Sequence, residues 1–370
     1  MKATESTNRP VLPATDGHAP EAIRPSRAPS PKFRLEERDW LRHRLSIATA
    51  MLFAWTIGLL PRVPRDWVGD RIGDVWRLFA PTYRANVRAN LTQAMGLAET
   101  DPALDGLMRD VFRRNARNFT DLFRMLHLRR DDFERLVRVA EGGWSTLEGE
   151  LARGKGIVLV TGHLGAFDMV GHAIGARDHP LTALTGRTTT RFIFDAVNHL
   201  RAGHNVTIVE ATPSGVRKVI QALRRNELAV FVADYDFFQN GLPVTLFGRA
   251  TTLPPGPVRI ARDTGAPVLG AFAQRTASGY DLSFMPPFTV PKTRDLEADL
   301  ALGMAKLTEM LERAIAAMPE QWVILQRVWP ETPAEPVRVF PVGSPLESEF
   351  LKRVDELLPP PRSGDGARGD

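Results

Sequence analysis

The 370-residue chain contains no cysteine, which excludes a disulfide framework, thiolate metal ligation and a cysteine nucleophile. It also lacks a G-x-S-x-G elbow, which argues against an α/β-hydrolase serine. No Walker A sequence is present, and Gly154-Lys155-Gly156 precedes its strand instead of following it, so it is not a dinucleotide fingerprint. The histidines include no H-x-H or H-E-x-x-H spacing. His172, His199 and His204 are left as candidate ligands beside His163 and the aspartates, for a metal site that no short spacing supports. No zinc-finger or aromatic ribonucleoprotein signature points to nucleic acid. No secretory pattern opens the chain, and no internal repeat divides it.

The 43% hydrophobic content is that of a globular protein, not of a polytopic membrane protein. The net charge of +5 comes from an arginine-heavy basic set and suits an anionic partner: a phospholipid surface, a phosphate-bearing substrate or nucleic acid. Many soluble proteins carry a similar charge, so charge alone does not choose among these. Residues 1–35 are proline-rich, with Pro10, Pro13, Pro20, Pro25, Pro29 and Pro31, and have few large apolar groups. Such a leader cannot bury enough surface to offset its ordering entropy.

Leu45–Leu60 is uncharged, with Arg42 and Arg44 before it and Arg62 and Arg65 after it. As a helix it spans about 24 Å, short of the roughly 20 residues of a comfortable bilayer crossing. A short crossing, a helix half-sunk in one leaflet and a buried soluble helix all fit this run. The flanking arginines, with Trp40, Trp55 and Trp67, favour membrane contact over residues 36–65.

Helical periodicity runs through residues 66–141, as in Leu104–Leu126 with Leu107, Val111, Phe119, Leu122, Phe123 and Leu126. Within it, Tyr83–Leu91 reads as a solvated helix face, with a phosphate-surface contact as the alternative. Over residues 142–340 strands alternate with helices. The expected strands are Ile157–Thr161, Leu181–Thr185, Val206–Val209, Ala229–Ala233 and Val268–Phe272. The expected helices are Phe167–Ala176, Phe192–Ala202, Gly215–Arg224, Pro257–Thr264 and Leu296–Met318. This order predicts an α/β fold with a mixed, largely parallel sheet flanked by helices. PEQWVILQRVWP at 319–330 reads as a late strand, and 341–370 as a loose tail.

Three groups of residues can carry chemistry. His163 ends the first strand, and Asp168 lies in the first turn of the following helix. In one continuous helix their side chains would stand about 140° apart. They converge only if His163 sits on the strand-to-helix turn, which would make a base and its orienting carboxylate at the sheet rim. The alternative is a solvent-facing histidine on an ordinary turn. Asp234 and Asp236 follow the apolar strand LAVFVA, and the chain then runs through Gly248-Arg249 into a Pro/Gly-shaped loop that lets backbone approach a ligand. Among Arg187, Arg191, Arg201, Arg217 and Lys218, Arg187 directly follows a strand and is the cation expected to reach the His163 rim, where it suits a phosphate-bearing molecule.

Taken in order, the apolar N-terminal helix, YRANVRANL, TGHLGAFD, the strand ending in ADYD, PVTLFGRATTLPPGPVRIARDTGAPV and PEQWVILQRVWP resemble the bacterial lipid A lauroyl/myristoyl acyltransferase family over roughly Arg42 to Pro330. Its phosphatidylinositol mannoside acyltransferase branch matches at least as well. The resemblance implies a glycerolipid acyltransferase-like core behind a membrane-contacting helix. The implied activity moves a fatty acyl chain from a thioester, acyl-CoA or acyl carrier protein, to a hydroxyl of a membrane glycolipid or lysophospholipid at the cytoplasmic face of the inner membrane, with no further cofactor. The family's H-x4-D/E motif maps onto His163 and Asp168 as catalytic residues, with Arg187, Asp234, Asp236, Gly248 and Arg249 placed as substrate-binding residues. Three departures stand out: Asp168 where the lipid A branch usually has Glu, Asp234-Tyr235 where Asp-Gln is common, and Gln326 where His is common. They lean toward the mannoside-type branch or a related one and leave the acceptor open. A His- or metal-dependent lipid hydrolase and a non-catalytic membrane-binding protein are the rival readings.

Overall fold

The computed structural model describes residues 37–186 and 191–330. The chain divides into two compact units at Arg42/His43. Of the first unit only backbone at the start of helix α1 is described; the second unit carries the rest of α1 and all the other elements.

Four long helices lead: α1 (Glu37–Gly58), α2 (Arg62–Phe79), α3 (Pro81–Met95) and α4 (Ala103–Met125). A short α5 (Arg130–Leu136), strand β1 (Val137–Val139) and α6 (Gly143–Leu151) lead into the core. There β2 (Ile157–Thr161), α7 (Phe167–Gly175), β3 (Leu181–Thr185), α8 (Arg191–Arg201), β4 (Val206–Glu210), α9 (Pro213–Arg224) and β5 (Leu228–Val232) alternate. A hairpin of β6 (Leu242–Leu246) and β7 (Arg249–Leu253) follows, then α10 (Gly256–Thr264), β8 (Val268–Arg275), β9 (Tyr280–Phe284), α11 (Leu296–Ala317) and a single 3-10 turn at Pro319–Gln321.

Seven strands form one sheet in the order β1-β9-β8-β2-β5-β3-β4, with β6-β7 as a separate pair. β8-β2-β5-β3-β4 are all mutually parallel, and β9 runs antiparallel to β8. The fold is therefore the expected α/β class with a mostly parallel sheet. The central strands explain why. β2 is buried along its whole length, and its side chains serve two layers, as a parallel sheet covered on both faces requires. Val158 and Val160 join Phe231, Val219 and Leu307 on the face of α9, α10 and α11. Ile157 and Leu159 join Val230, Met169, Ile174 and Phe133 on the face of α5 and α7.

The N-terminal helices pack by an inverted logic. Gly69 and Gly73 of α2 meet the α4 backbone so closely that an added Cβ on Gly73 would stand 2.6 Å from Arg113 Cα. The contact is sealed by the ion pairs Arg113–Asp74 and Arg117–Asp70, at 2.7 and 2.6 Å. α2 thus buries glycine and charge against α4 and, apart from Trp76 on Phe112, turns most of its apolar side chains outward. α1 packs its Gly58 and Ala54 inward and exposes Leu52, Phe53 and Trp55, with Leu59 exposed just past its end.

One expectation is corrected. Residues 319–330 form no strand. After the 3-10 turn they run as an irregular strap whose one β-type pairing among the described residues is an isolated bridge between Leu164 and Trp322. Side-chain amides hold the strap: Asn86 donates to Leu325 O and Asn90 to Gln326 O, Asn90 Oδ1 accepts from Val328 N–H, and Asn115 donates to Val323 O. The asparagines of YRANVRANL are therefore structural clamps. The arginines of the same motif are engaged locally, Arg84 on Arg77 O and Arg88 on Glu99 O and Asp105. Of the readings left open for Leu45–Leu60, the crossing falls away, since no helix among the described residues is long and apolar enough to cross a membrane.

Candidate active site

β2 and β5 lie side by side in register, Ile157 opposite Leu228 through Thr161 opposite Val232. Carried past both strand ends, the same offset brings His163 level with Asp234. Ala233 N–H still bonds Thr161 O, so the pairing persists to the rim. Parallel strands release their chains on one side of the sheet, and that common rim is where α/β folds build sites.

His163 Nδ1 lies 2.8 Å from Asp234 Oδ1, and the His163 backbone N–H donates to Asp234 Oδ2 at 2.9 Å. The indole N–H of Trp322 donates to the same Oδ2, also at 2.9 Å. Gly162 makes this approach possible, since a Cβ there would stand 3.2 Å from Asp234 Cγ. Asp234 is 1% exposed. Burial alone pushes its carboxyl up, but the charge of His163 and the hydrogen bonds from His163 and Trp322 outweigh burial and hold it below the usual carboxylate range. An ionised Asp234 fixes the proton of the neutral imidazole on Nδ1 and leaves the Nε2 lone pair free. The His163 side chain is 23% exposed, and the edges of Phe167 and Phe237 flank it at centroid distances of 5.4 and 5.6 Å.

The turn that carries His163 is locked. Gly165 adopts φ +61°, and a Cβ there would meet Ala273 O at 2.1 Å. Gly165 N–H donates to Gln321 O, Val323 N–H to His163 O, and Asn118 to Gly165 O.

The expected partner of His163 is corrected. The carboxylate on Nδ1 is Asp234, on the neighbouring strand, while Asp168 turns toward α8 and pairs with Arg201, Nε to Oδ1 at 2.7 Å. The reason is geometric. α7 begins at Phe167, so Asp168 already follows the helical rotation, whereas Asp234 is presented by strand register. The Arg201 guanidinium lies 5.6 Å from the Phe167 ring, so the Asp168–Arg201 pair stands behind the aromatic wall of His163.

The remaining expected residues sit elsewhere. Asp236 is buried and accepts from Asn240 N–H, Gly241 N–H and the Thr252 hydroxyl, folding its own loop. Gly248 and Arg249 shape the β6–β7 turn, where Trp329 donates to Arg249 O and Arg249 reaches Pro330 O at 3.4 Å. Arg187 lies outside the described residues. Among the described residues no three His, Asp or Glu side chains converge as a ligating group. His172 and His204 instead contact each other through Nδ1 atoms 3.2 Å apart. Residue order alone does not join Asp234, Trp322 and Arg201 to the His163 turn, although the strand-end position of Asp234 is a usable signal.

The chain is similar to known proteins. Residues 35–331 match the family described as bacterial lipid A biosynthesis acyltransferase. Phosphatidylinositol mannoside acyltransferases from two Mycobacterium tuberculosis strains are 26% identical over 250 residues, covering 66% of this chain and 76% of theirs. The protein of the same name from Mycolicibacterium smegmatis is 24% identical over 249 residues, covering 66% of this chain and 78% of its own.

Proposed function

Because the chain belongs to the bacterial lipid A biosynthesis acyltransferase family and is an O-acyltransferase, we propose that His163 is its general base, oriented by Asp234, and that the acceptor is a membrane glycolipid of the phosphatidylinositol-mannoside type. The observation that carries this reading is the His163–Asp234 contact, with a buried ionised carboxylate on Nδ1 and Nε2 open beside two aromatic edges. The likeness to the mycobacterial mannoside enzymes supports the acceptor class.

In this mechanism Nε2 takes the proton of the acceptor hydroxyl as its oxygen attacks the thioester carbonyl. Asp234 stabilises the imidazolium that forms. The tetrahedral oxyanion is met by Arg187 or by backbone N–H groups at the start of α7. Collapse breaks the C–S bond, and the imidazolium returns its proton to the departing thiolate. No acyl-enzyme forms, in keeping with a chain that has neither cysteine nor a serine elbow. The donor is acyl-CoA or acyl carrier protein thioester.

The apolar outer faces of α1 and α2 support a membrane-surface location, which we assign to the cytoplasmic leaflet of the inner membrane. Val63 is 80% and Phe79 82% exposed, with Trp67, Val75 and Leu78 beside them and Leu52, Phe53 and Trp55 on α1. Patches of this kind on a soluble surface mark an interaction site, and tryptophans near arginines suit a headgroup interface.

The test is acyl transfer from long-chain thioesters to lyso-glycolipid acceptors, followed by lipid mass spectrometry. His163→Ala should lose about 10³-fold or more in turnover while keeping its thermal midpoint. Acylation retained in that variant, or release of free fatty acid without acceptor by the wild type, would refute the reading.

A further inference from the structure

We propose that Trp322 is a positioning residue of the active site, acting on His163 through Asp234. This rests on the reading of His163 as general base and adds a third member to its relay.

Three features carry the inference. First, a carboxylate rotates freely about its Cβ–Cγ bond unless both oxygens are held, and only one rotation presents Oδ1 squarely to His163 Nδ1. Two donors on Asp234 Oδ2 fix that rotation: the His163 backbone N–H and the Trp322 indole N–H, each at 2.9 Å. The backbone donor moves with the histidine, so Trp322 is the one of the two that holds the carboxylate from outside the His163 turn. Second, the indole has a donor and no acceptor, so it binds the ionised carboxylate and favours the state in which Nδ1 keeps its proton. Third, Trp322 is itself immobilised. It is 2% exposed, packs edge-on against Trp329 at 6.1 Å, and sits in a backbone bracket in which Leu164 bridges Trp322, Gly165 N–H bonds Gln321 O and Val323 N–H bonds His163 O. The strap from Pro319 to Pro330 thus delivers a rigid donor to the carboxylate behind the base.

Trp322→Phe keeps the ring and removes the donor. Loss of one buried hydrogen bond to a charged group predicts a fall in kcat of roughly 10- to 100-fold, with KM changed less than about twofold because Trp322, 2% exposed, offers an acceptor almost no surface. Trp329→Phe is the control. It also removes a buried indole N–H, the one donated to Arg249 O, and should leave kcat within a few-fold. A double-mutant cycle supplies the specific readout: once Asp234→Asn has removed the carboxylate, adding Trp322→Phe should cost little more. A second readout is independent of acyl transfer. The His163 Nδ1 proton, held against a carboxylate, gives a downfield NMR resonance that should shift or broaden in Trp322→Phe and persist in Trp329→Phe. Additive losses in the cycle, or an unaltered resonance in Trp322→Phe, would overturn the proposal. A wild-type resonance that behaves as described in a protein without acyl transfer would uphold the relay and reject the proposed function.

Discussion

A histidine works as a base near neutral pH when one ring nitrogen is held protonated and the other is left open. Here the first condition is met by a carboxylate with 1% exposure and three donors. Asp234→Asn keeps the shape and removes the charge, leaving nothing to favour the Nδ1–H tautomer or to balance the imidazolium. Turnover should fall by about 10³-fold with the fold intact, read by steady-state kinetics. Asp168 belongs to a different unit. It pairs with Arg201 behind Phe167, so Asp168→Asn and Arg201→Lys should be non-additive with each other, while either combined with Asp234→Asn should multiply losses. Additivity between Asp168 and Arg201 would break that grouping. The H-x4-D spacing was legible in the residue order, but which acid met the imidazole was not. The spacing along one chain competes with pairing across two strands, and only the β2–β5 register reveals the second.

At the scale of elements, α7 is tied to its neighbours by a histidine pair in which His172 is buried and His204 half-buried. His204 Nε2 lies 3.0 Å from Leu128 O and so carries a proton, which makes its Nδ1 the acceptor of His172 Nδ1–H. His172 also lies under Phe133 of α5, with near-parallel rings. Burial lowers its affinity for protons, against an opposing pull from Asp168, and its pKa falls to about 4. An unfolded chain would bind this proton below about 6.5 while the folded one refuses it until about 4. Stability linked to His172 is therefore complete above pH 6.5 and lost as pH falls toward 4, by roughly 3 kcal/mol at most. Thermal midpoints measured across that range should slope downward toward acid in the wild type and more gently in His172→Gln. Equal slopes would remove the assignment. Among the elements themselves, the core strands and helices were readable from their apolar periods. The strap at 319–330 was not, because an apolar run with β-branched residues looks like a strand whether or not a neighbouring edge is free to pair with it. Its carbonyls and N–H groups are met by Asn86, Asn90 and Asn115 instead of by a ladder.

For the whole molecule, the question is where its apolar surface goes. α2 turns its small residues and ion pairs toward α4 and leaves Val63, Trp67, Val75 and Phe79 in the open. Burying each such side chain in lipid is worth about 1 kcal/mol or more. Replacing these four together with serine should weaken binding to anionic vesicles by at least about tenfold without lowering the thermal midpoint. Unchanged co-sedimentation would refute a docking role for this face. Wild-type binding should also weaken with added salt if the arginine-rich surface assists.

The order of residues was enough to exclude cysteine and serine-elbow chemistry, to establish an α/β core, and to bring His163 and Asp234 each to the end of its own strand, because composition and hydrophobic period act locally. The tertiary structure decided that these two strands are neighbours in register, that Asp168 answers to Arg201, and that Trp322 closes on the carboxylate from a strap nearly 90 residues away along the chain. Those relations depend on which elements pack together, and a contact between distant segments leaves no periodic trace in either segment alone.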